Sequence, residues 1–498
     1  MAEPGHIWPY GGPSPQDLNA KRHWLETLLE RYAVRKLLGW LARGQPAGDT
    51  IIERIIYSYR NPQWSTWSRL KYWPIHRLID KIRGGASVES FHKRIADHKP
   101  TVRGIVATMR AVSEMGLSQP QRWIIPLFAV WNFTQRCNLK CRHCYQSATG
   151  EVLPDELTLD EKLRLVDELG SHYMPMIAFA GGEPTLSKDL LPVLHRCQQH
   201  GMHTSIATHG GTMTPKLAAE LADAGVKYVE ISLDSVSPEK HDAFRGVPGM
   251  WQRTVQGMKH VVAEKRLRLG VAMCVHRDNY DEVEDMLRFC EQIGAGSFAH
   301  FNFIPVGRGT GMTTQDLTPR QRQQLLELLQ RWMQKGTMGV ISTAPQLGRV
   351  CLTHAPEDGR VTCSHAGSGS GFKARVVARY LGGCGAGRTY MCIQPNGDIT
   401  PCVYLPHRVV GNVRQGSVRD IWLNSHEWKL LNDRNHRYGG CGICKYKEYC
   451  GGCRARSDAY YGDLIGPDPG CIFNQKHWDE IVQRQAAVCC DLAAAAGQ

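Results

Sequence analysis

The sequence predicts an α/β fold: a partial, six-unit (β/α)6 barrel of the TIM type, preceded by a mainly helical N-terminal domain and followed by a cysteine-rich C-terminal domain. Three observations carry this. Segments of strand length alternate with segments of helical apolar spacing from about residue 126 to residue 340. Residues 1–125 contain no cysteine, whereas eight of the eighteen cysteines fall between Cys384 and Cys471. The 498 residues allow roughly two to four domains of ordinary size.

Taken in order, residues 1–125 read as helical. Apolar spacing from Leu18 to Leu41 (Leu25, Leu28, Leu29, Tyr32, Leu37) predicts a helix capped by Asp17 or Asn19, with breaks at Pro74 and Gly84-Gly85. This quarter of the chain carries 19 Lys/Arg against 10 Asp/Glu, which accounts for nine of the +13 net charge, and seven of the thirteen tryptophans. Candidate strands follow at Leu127–Phe133, Met176–Ala180, Thr204–Thr208, Tyr228–Leu233, Arg268–Val275 and Ala299–Ile304. Between them lie helical patterns at Leu159–Leu169, Lys188–His200, Pro215–Ala224, Trp251–Lys265 and Tyr280–Ile293. That alternation implies a parallel sheet with right-handed crossovers and reactive groups at the C-terminal strand ends. Residues 318–335 read as a further helix, 341–383 as a linking region with a Gly/Ser-rich loop at Ala366–Gly371, 384–475 as the cysteine-rich domain, and 476–498 as a helix and tail.

Composition narrows the class. With 42% apolar and 21% charged residues the chain is globular rather than disordered. Residues 1–20 are polar and do not resemble a secretory leader, and no apolar run reaches spanning length. The expectation is a reducing, cytoplasmic compartment, in which clustered cysteines indicate metal rather than disulfides.

Cys137, Cys141 and Cys144 follow directly on the first strand. Three thiolates this close can hold three corners of a four-iron cluster and leave the fourth iron open to another molecule. A zinc knuckle would need four closed ligands, and His143 lies too tightly between its neighbours to be the fourth. Three buried cysteines are the remaining alternative.

The CxxxCxxC loop resembles that of radical S-adenosylmethionine (SAM) enzymes. Gly181-Gly182-Glu183-Pro184, at the end of the second strand, resembles the segment that meets the methionine ammonium in that family. Ser232, in Ile231-Ser232-Leu233-Asp234, corresponds to a ribose contact, and Arg245 to a partner of the methionine carboxylate. An ion pair of Arg245 with Asp242 on the surface is the competing reading. Tyr145 stands where it could lie against the adenine, or simply in the core. Thr208-His209-Gly210 departs from the Thr-Asn-Gly of many relatives and leaves His209 without an assigned role. The resemblance implies SAM and a catalytic [4Fe-4S] cluster as cofactors, a 5′-deoxyadenosyl radical that removes hydrogen from substrate, and a reduced ferredoxin- or flavodoxin-type electron donor.

Cys384, Cys392, Cys402, Cys441, Cys444, Cys450, Cys453 and Cys471 are too tightly spaced for a zinc ribbon and match two four-iron clusters, or one cluster and a site open to substrate. Their arrangement resembles the SPASM auxiliary-cluster domain and implies one or two auxiliary [4Fe-4S] clusters. Cys450 and Cys453 are separated by two residues where many members have three. Thr343-Ala344-Pro345-Gln346, Gly411-Asn412-Val413-Arg414, Asp420-Ile421-Trp422 and Asp468-Pro469-Gly470-Cys471 resemble the subgroup of heme d1 and alternative heme synthesis, which alters acetate or propionate side chains of a tetrapyrrole. The competing readings are radical modification of a peptide, lipid or other small molecule, and a non-catalytic iron–sulfur electron-transfer or zinc-binding protein. For residues 1–125 three roles stand open: a packing domain, a peripheral contact with anionic headgroups, and binding of an acidic substrate. No nucleic-acid motif is present.

Overall fold

The computed structural model describes residues 24–44, 48–83, 87–364 and 367–484. The predicted caps Asp17 and Asn19, the break at Gly84-Gly85, and residues 485–498 with Cys489 and Cys490 lie outside them.

Six parallel strands form the centre: β1 (Phe128–Asn132), β2 (Met176–Ala180), β3 (His203–Thr208), β4 (Tyr228–Ser232), β5 (Arg268–Val275) and β6 (Ser297–Asn302). Each lies within two residues of its sequence expectation. Their side chains alternate because one face meets the helices and the other meets an open interior. In β3, Thr204, Ile206 and Thr208 are buried and alternate with the half-buried His203, Ser205 and Ala207, which line a cavity that Ile206 and Thr208 also reach. The intervening helices begin where side chains satisfy free backbone donors. Thr158 and Glu161 form a capping box on Leu159–Ser171, Thr214 caps Pro215–Asp223, and Thr318 with Gln321 caps Pro319–Lys335.

The sheet is wider than six strands. β7 (Gly339–Ser342) extends it beyond β6. β8 (Arg360–Ser364) and β9 (Gly367–Ser370) form a separate hairpin. β10 (Tyr390–Ile393), from the cysteine-rich region, pairs in parallel with β1, and β11 (Asp398–Thr400) and β12 (Gly411–Asn412) follow it antiparallel. The C-terminal region is therefore continuous with the barrel sheet rather than a bead beside it. Among the described residues of 341–383, helices Gln346–His354 and Gly371–Leu381 flank strands β8 and β9, and β9 lies in the stretch expected as a Gly/Ser loop.

The N-terminal region is helical, as expected, but the single helix over 18–41 is two in the described part, Trp24–Glu30 and Tyr32–Leu41, divided where Arg31 takes an extended backbone. Pro74 falls in the first turn of Trp73–Arg83, where its missing N–H has no helical partner to lose. These helices share their own apolar core around Ile55, Ile56, Val102 and Val106. Arg103 clamps this core to the barrel by donating to the carbonyls of Met174, His200 and Gly170 at 3.1, 2.8 and 2.7 Å. Those carbonyls precede β2 and β3, so the N-terminal domain sits at the end of the barrel opposite the cysteine loop.

Candidate active site

The loop after β1 carries Cys137, Cys141 and Cys144 and is closed by contacts from three other strand ends. Cys137 N–H donates to Thr149 O at 2.6 Å. Arg142 and Lys140 donate to the carbonyls of Phe244 and Arg245, beyond β4. Arg308, beyond β6, donates to Cys141 O at 2.9 Å and to Ala148 O at 2.7 Å. From β2, Gly182 packs so closely that a Cβ there would stand 2.2 Å from Arg136 O, and only glycine fits.

The three thiols face a cavity of about 790 Å3 together with Gly181, Gly182, Ser232 and Arg245. Backbone N–H groups are directed at two of the sulfurs: Leu139 N lies 3.4 Å from Cys137 Sγ and Ala148 N lies 3.4 Å from Cys144 Sγ. Burial pushes the Cys137 thiol up to about 12, so a thiolate there needs a cationic partner. This donor set fits iron.

Arg245 is buried beside Cys141, with Nη1 3.8 Å from the sulfur. Its ion-pair partner is Asp234, not Asp242, at 2.6 Å. Burial alone would raise the Asp234 carboxyl, but Arg245 outweighs it and holds the group down at about 2. Asp242 instead accepts from the backbone N–H groups of Gly249 and Trp251.

Glu183 follows the end of β2. Its carboxylate is buried and already accepts from Thr208 Oγ1 at 2.8 Å and His209 N at 3.0 Å. The cavity wall here is formed by the Gly181 and Gly182 backbones. His209 gains a role that the sequence left open. Its Nδ1 accepts from Gly211 N–H at 3.0 Å, so Nε2 carries the proton and donates to Asn138 Oδ1 at 2.8 Å. Glu183 and His209 thus tie the cysteine loop to β2 and β3.

Tyr145 lines the cavity, packs edge-on against Tyr404 and donates to Asn132 Oδ1 at 2.9 Å. His143 lines it too, stacked on Phe244 with ring centroids 4.2 Å apart, and its Nδ1 is buried with no hydrogen-bond partner. Lower in the barrel, burial pushes the Glu230 carboxyl up to about 7. The sequence reading did not single out Asp234, Glu230, Arg308 or Tyr404. Glu230 alone left a signal, as a carboxylate in phase with Ser232 on one strand face.

The eight C-terminal cysteines divide. Cys441, Cys444, Cys450 and Cys471 line one small enclosed cavity. Tyr446 N and Gly452 N each lie 3.4 Å from the sulfurs of Cys444 and Cys450, and Asp468 N lies 3.4 Å from Cys441 Sγ. Cys384, Cys402 and Cys453 line the large cavity, so the CxxC pair of Cys450 and Cys453 is split between two groups. Cys392 is fully buried on β10, in register with Thr400, and its sulfur lies 3.6 Å from Gln394 Nε2. Of the other cysteines, Cys197, Cys290 and Cys351 are core residues and Cys274 lines the large cavity.

Comparison with known proteins agrees with this geometry. Residues 131–290 match the radical SAM superfamily and residues 384–454 match the iron–sulfur cluster-binding domain termed SPASM. An AdoMet-dependent heme synthase from Methanosarcina barkeri is 30% identical over 349 residues, covering 70% of this chain and 97% of that protein. Pre-heme d1 synthase from Dinoroseobacter shibae is 26% identical, covering 69% and 85%. Among solved structures, Streptococcus suis SuiB bound to the precursor peptide SuiA shares the fold with a TM-score of 0.59 at 15% identity, over 84% of this chain and 92% of that one. The chain therefore belongs to the radical SAM superfamily: it is an enzyme that uses SAM and a [4Fe-4S] cluster, with auxiliary iron–sulfur clusters in its C-terminal domain.

Proposed function

We propose that this enzyme removes a hydrogen atom from a carboxylate side chain of a tetrapyrrole. One observation carries the reading. A single cavity joins the catalytic thiols to Cys384, Cys402 and Cys453, walled by Tyr145, Tyr390, Tyr404 and Phe303. Aromatic walls suit a flat, largely apolar macrocycle held between the two cysteine groups. The heme synthase relatives, named for tetrapyrrole products, support it.

A [4Fe-4S] cluster held by Cys137, Cys141 and Cys144 would supply the electron for reductive cleavage of SAM, and the 5′-deoxyadenosyl group would supply the hydrogen abstraction. The chain's own residues bind and orient. Cys137, Cys141 and Cys144 would ligate the cluster. The Gly181-Gly182-Glu183 backbone would meet the methionine ammonium, with Glu183 holding that segment through His209. Arg245 would meet the methionine carboxylate beside Cys141, Ser232 the ribose, and Tyr145 the adenine. Cys441, Cys444, Cys450 and Cys471 would hold one auxiliary cluster, and Cys384, Cys402 and Cys453, with Cys392 adjacent, the other.

The electron donor in this reading is a reduced ferredoxin or flavodoxin. The N-terminal region makes a peripheral contact with a membrane; among the described residues no helix is long and apolar enough to cross one.

The substrate is tested by anaerobic incubation with SAM, dithionite and a propionate-bearing iron porphyrin. The reading expects a porphyrin that carries a vinyl group and has lost carbon dioxide, the hydrogen atom leaving in 5′-deoxyadenosine and the remaining electron passing to an oxidised auxiliary cluster. Steady 5′-deoxyadenosine formation with unchanged porphyrin would remove the tetrapyrrole and leave peptide or small-molecule modification as the reading to pursue.

A further inference from the structure

We propose that the two helices Thr66–Lys71 and Trp73–Arg83 form a docking surface for an anionic phospholipid bilayer. This rests on the peripheral contact proposed above and gives it a place and a partner chemistry. It is independent of the tetrapyrrole reading.

The helices already have an inner face. Tyr72, Ile75 and Ile79 pack on the N-terminal core, and His76 Nε2 lies 3.1 Å from Ile55 O. The outer face nevertheless carries the largest apolar side chains of the segment: Trp67 is 78% exposed, Leu70 64%, Trp73 56% and Leu78 44%. Trp67 and Leu70 are one turn apart and share a helix face. Folding does not call for large apolar groups there, and exposed apolar side chains concentrated in one short segment mark an interaction site.

Charge selects the partner. Arg60, Arg69, Lys71, Arg77, Lys81 and Arg83 stand against one acid, Asp80, between residues 60 and 83. Asp80 is already engaged by Tyr59 Oη at 2.5 Å, Arg60 at 3.1 Å and Arg83 at 3.6 Å, so it offsets only its immediate neighbours. The Arg77 guanidinium lies 5.1 Å from the Trp73 ring centroid and Lys71 Nζ 5.6 Å from that of Tyr72. Cations held against aromatic rings at a surface match the headgroup layer, where rings enter the interface and cations meet phosphate. The position is also suitable: Arg103 fixes this domain to the barrel end away from the cysteine loop, so docking leaves the active site free.

The test uses the full-length protein in vesicle co-sedimentation, with phosphatidylcholine alone and with phosphatidylglycerol added at about three parts in ten. The proposal expects binding to the mixed vesicles, weakening at high salt, and little binding to phosphatidylcholine. The variant Trp67→Ala/Leu70→Ala/Trp73→Ala should lose binding by about tenfold or more while retaining 5′-deoxyadenosine formation. Lys71→Glu/Arg77→Glu should do the same. No binding by the wild type would overturn the membrane contact altogether. Wild-type binding that survives both variants would overturn this surface and leave the contact elsewhere. Equal binding to both vesicle types would overturn the anionic partner. Vesicle-free self-association abolished by the tryptophan variant would assign the patch to a second copy of the chain.

Discussion

Arg245 joins two groups at the active site: it contacts a carboxylate oxygen of Asp234 at 2.6 Å and, through Nη1, the Cys141 sulfur at 3.8 Å. Asp234 is itself fixed by the backbone N–H of Cys274, 3.0 Å from its Oδ1. The guanidinium is therefore held in one orientation beside a predicted iron ligand, where the carboxylate of SAM would arrive.

That placement predicts a specific defect. Arg245→Met should weaken SAM binding by about 10- to 100-fold, the scale of one lost charge-assisted hydrogen bond. Iron content should stay near that of the wild type. Equilibrium binding of SAM, read beside iron analysis, checks it, and Arg245→Lys should recover part of the affinity. Wild-type affinity in the Met variant would remove Arg245 from the SAM site.

The split of Cys450 from Cys453 predicts an asymmetry that sequence order hides. Cys444→Ser and Cys450→Ser should each deplete the same auxiliary cluster, lowering iron by about four per chain. Cys453→Ser should deplete the other and leave that signal in place. Mössbauer and electron paramagnetic resonance spectra of the three variants separate these outcomes.

The joint between barrel and C-terminal domain depends on buried charge. Asp316 is ion-paired with Arg456 and with Arg322, the latter at 2.6 Å, and accepts from Tyr460 Oη at 2.9 Å. All three charged side chains are buried. Arg456→Met leaves Asp316 with Arg322 as its one cationic partner and the buried cluster short of a positive charge, and the expected loss is about 3–5 kcal/mol. Adding Asp316→Asn to Arg456→Met should recover part of it. Urea unfolding of wild type, single and double variants measures both steps.

Acid should weaken the fold through His300. Burial pushes its imidazole down to about 3, with Arg322 and Arg456 adding to the effect; Nδ1 meets Ser342 Oγ at 2.8 Å, and Nε2 has no partner. A histidine held neutral in the folded state contributes its full stability above its unfolded value of 6.5. As pH falls below that value, the unfolded chain takes up a proton that the folded chain refuses. Stability then drops by up to about 1.4 kcal/mol per pH unit. His300→Gln should flatten this part of the stability curve, measured as unfolding free energy across mildly acid pH. An unchanged slope would mean that His300 is charged in the fold.

Much of this was legible in the sequence, and the exceptions share a cause. The six central strands declare themselves because each buries one face on helices and turns the other to the cavity. The catalytic loop is legible because three thiols so close together have few uses. β10 is not: Met391, Cys392 and Ile393 make only a short apolar run, and its partner β1 lies more than 250 residues earlier, linked by the hydrogen bond of Asn132 to Gln394 at 3.0 Å. Strand β9 is Gly-Ser-Gly-Ser and carries no strand signal of its own; its pairing with β8 defines it. Cys450 and Cys453 read as one pair because spacing does not say which way a turn sends each thiol; Gly451 and Gly452, both with positive φ, send them to different cavities.

In the reading proposed above, Cys137, Cys141 and Cys144 together form the site of SAM cleavage. Its most direct test is 5′-deoxyadenosine formation by anaerobically prepared, dithionite-reduced enzyme, set against Cys141→Ala. Product is expected from the wild type and none from the variant, with auxiliary iron largely retained in both. Product formation by Cys141→Ala, or none from a wild type carrying its full iron, would contradict it.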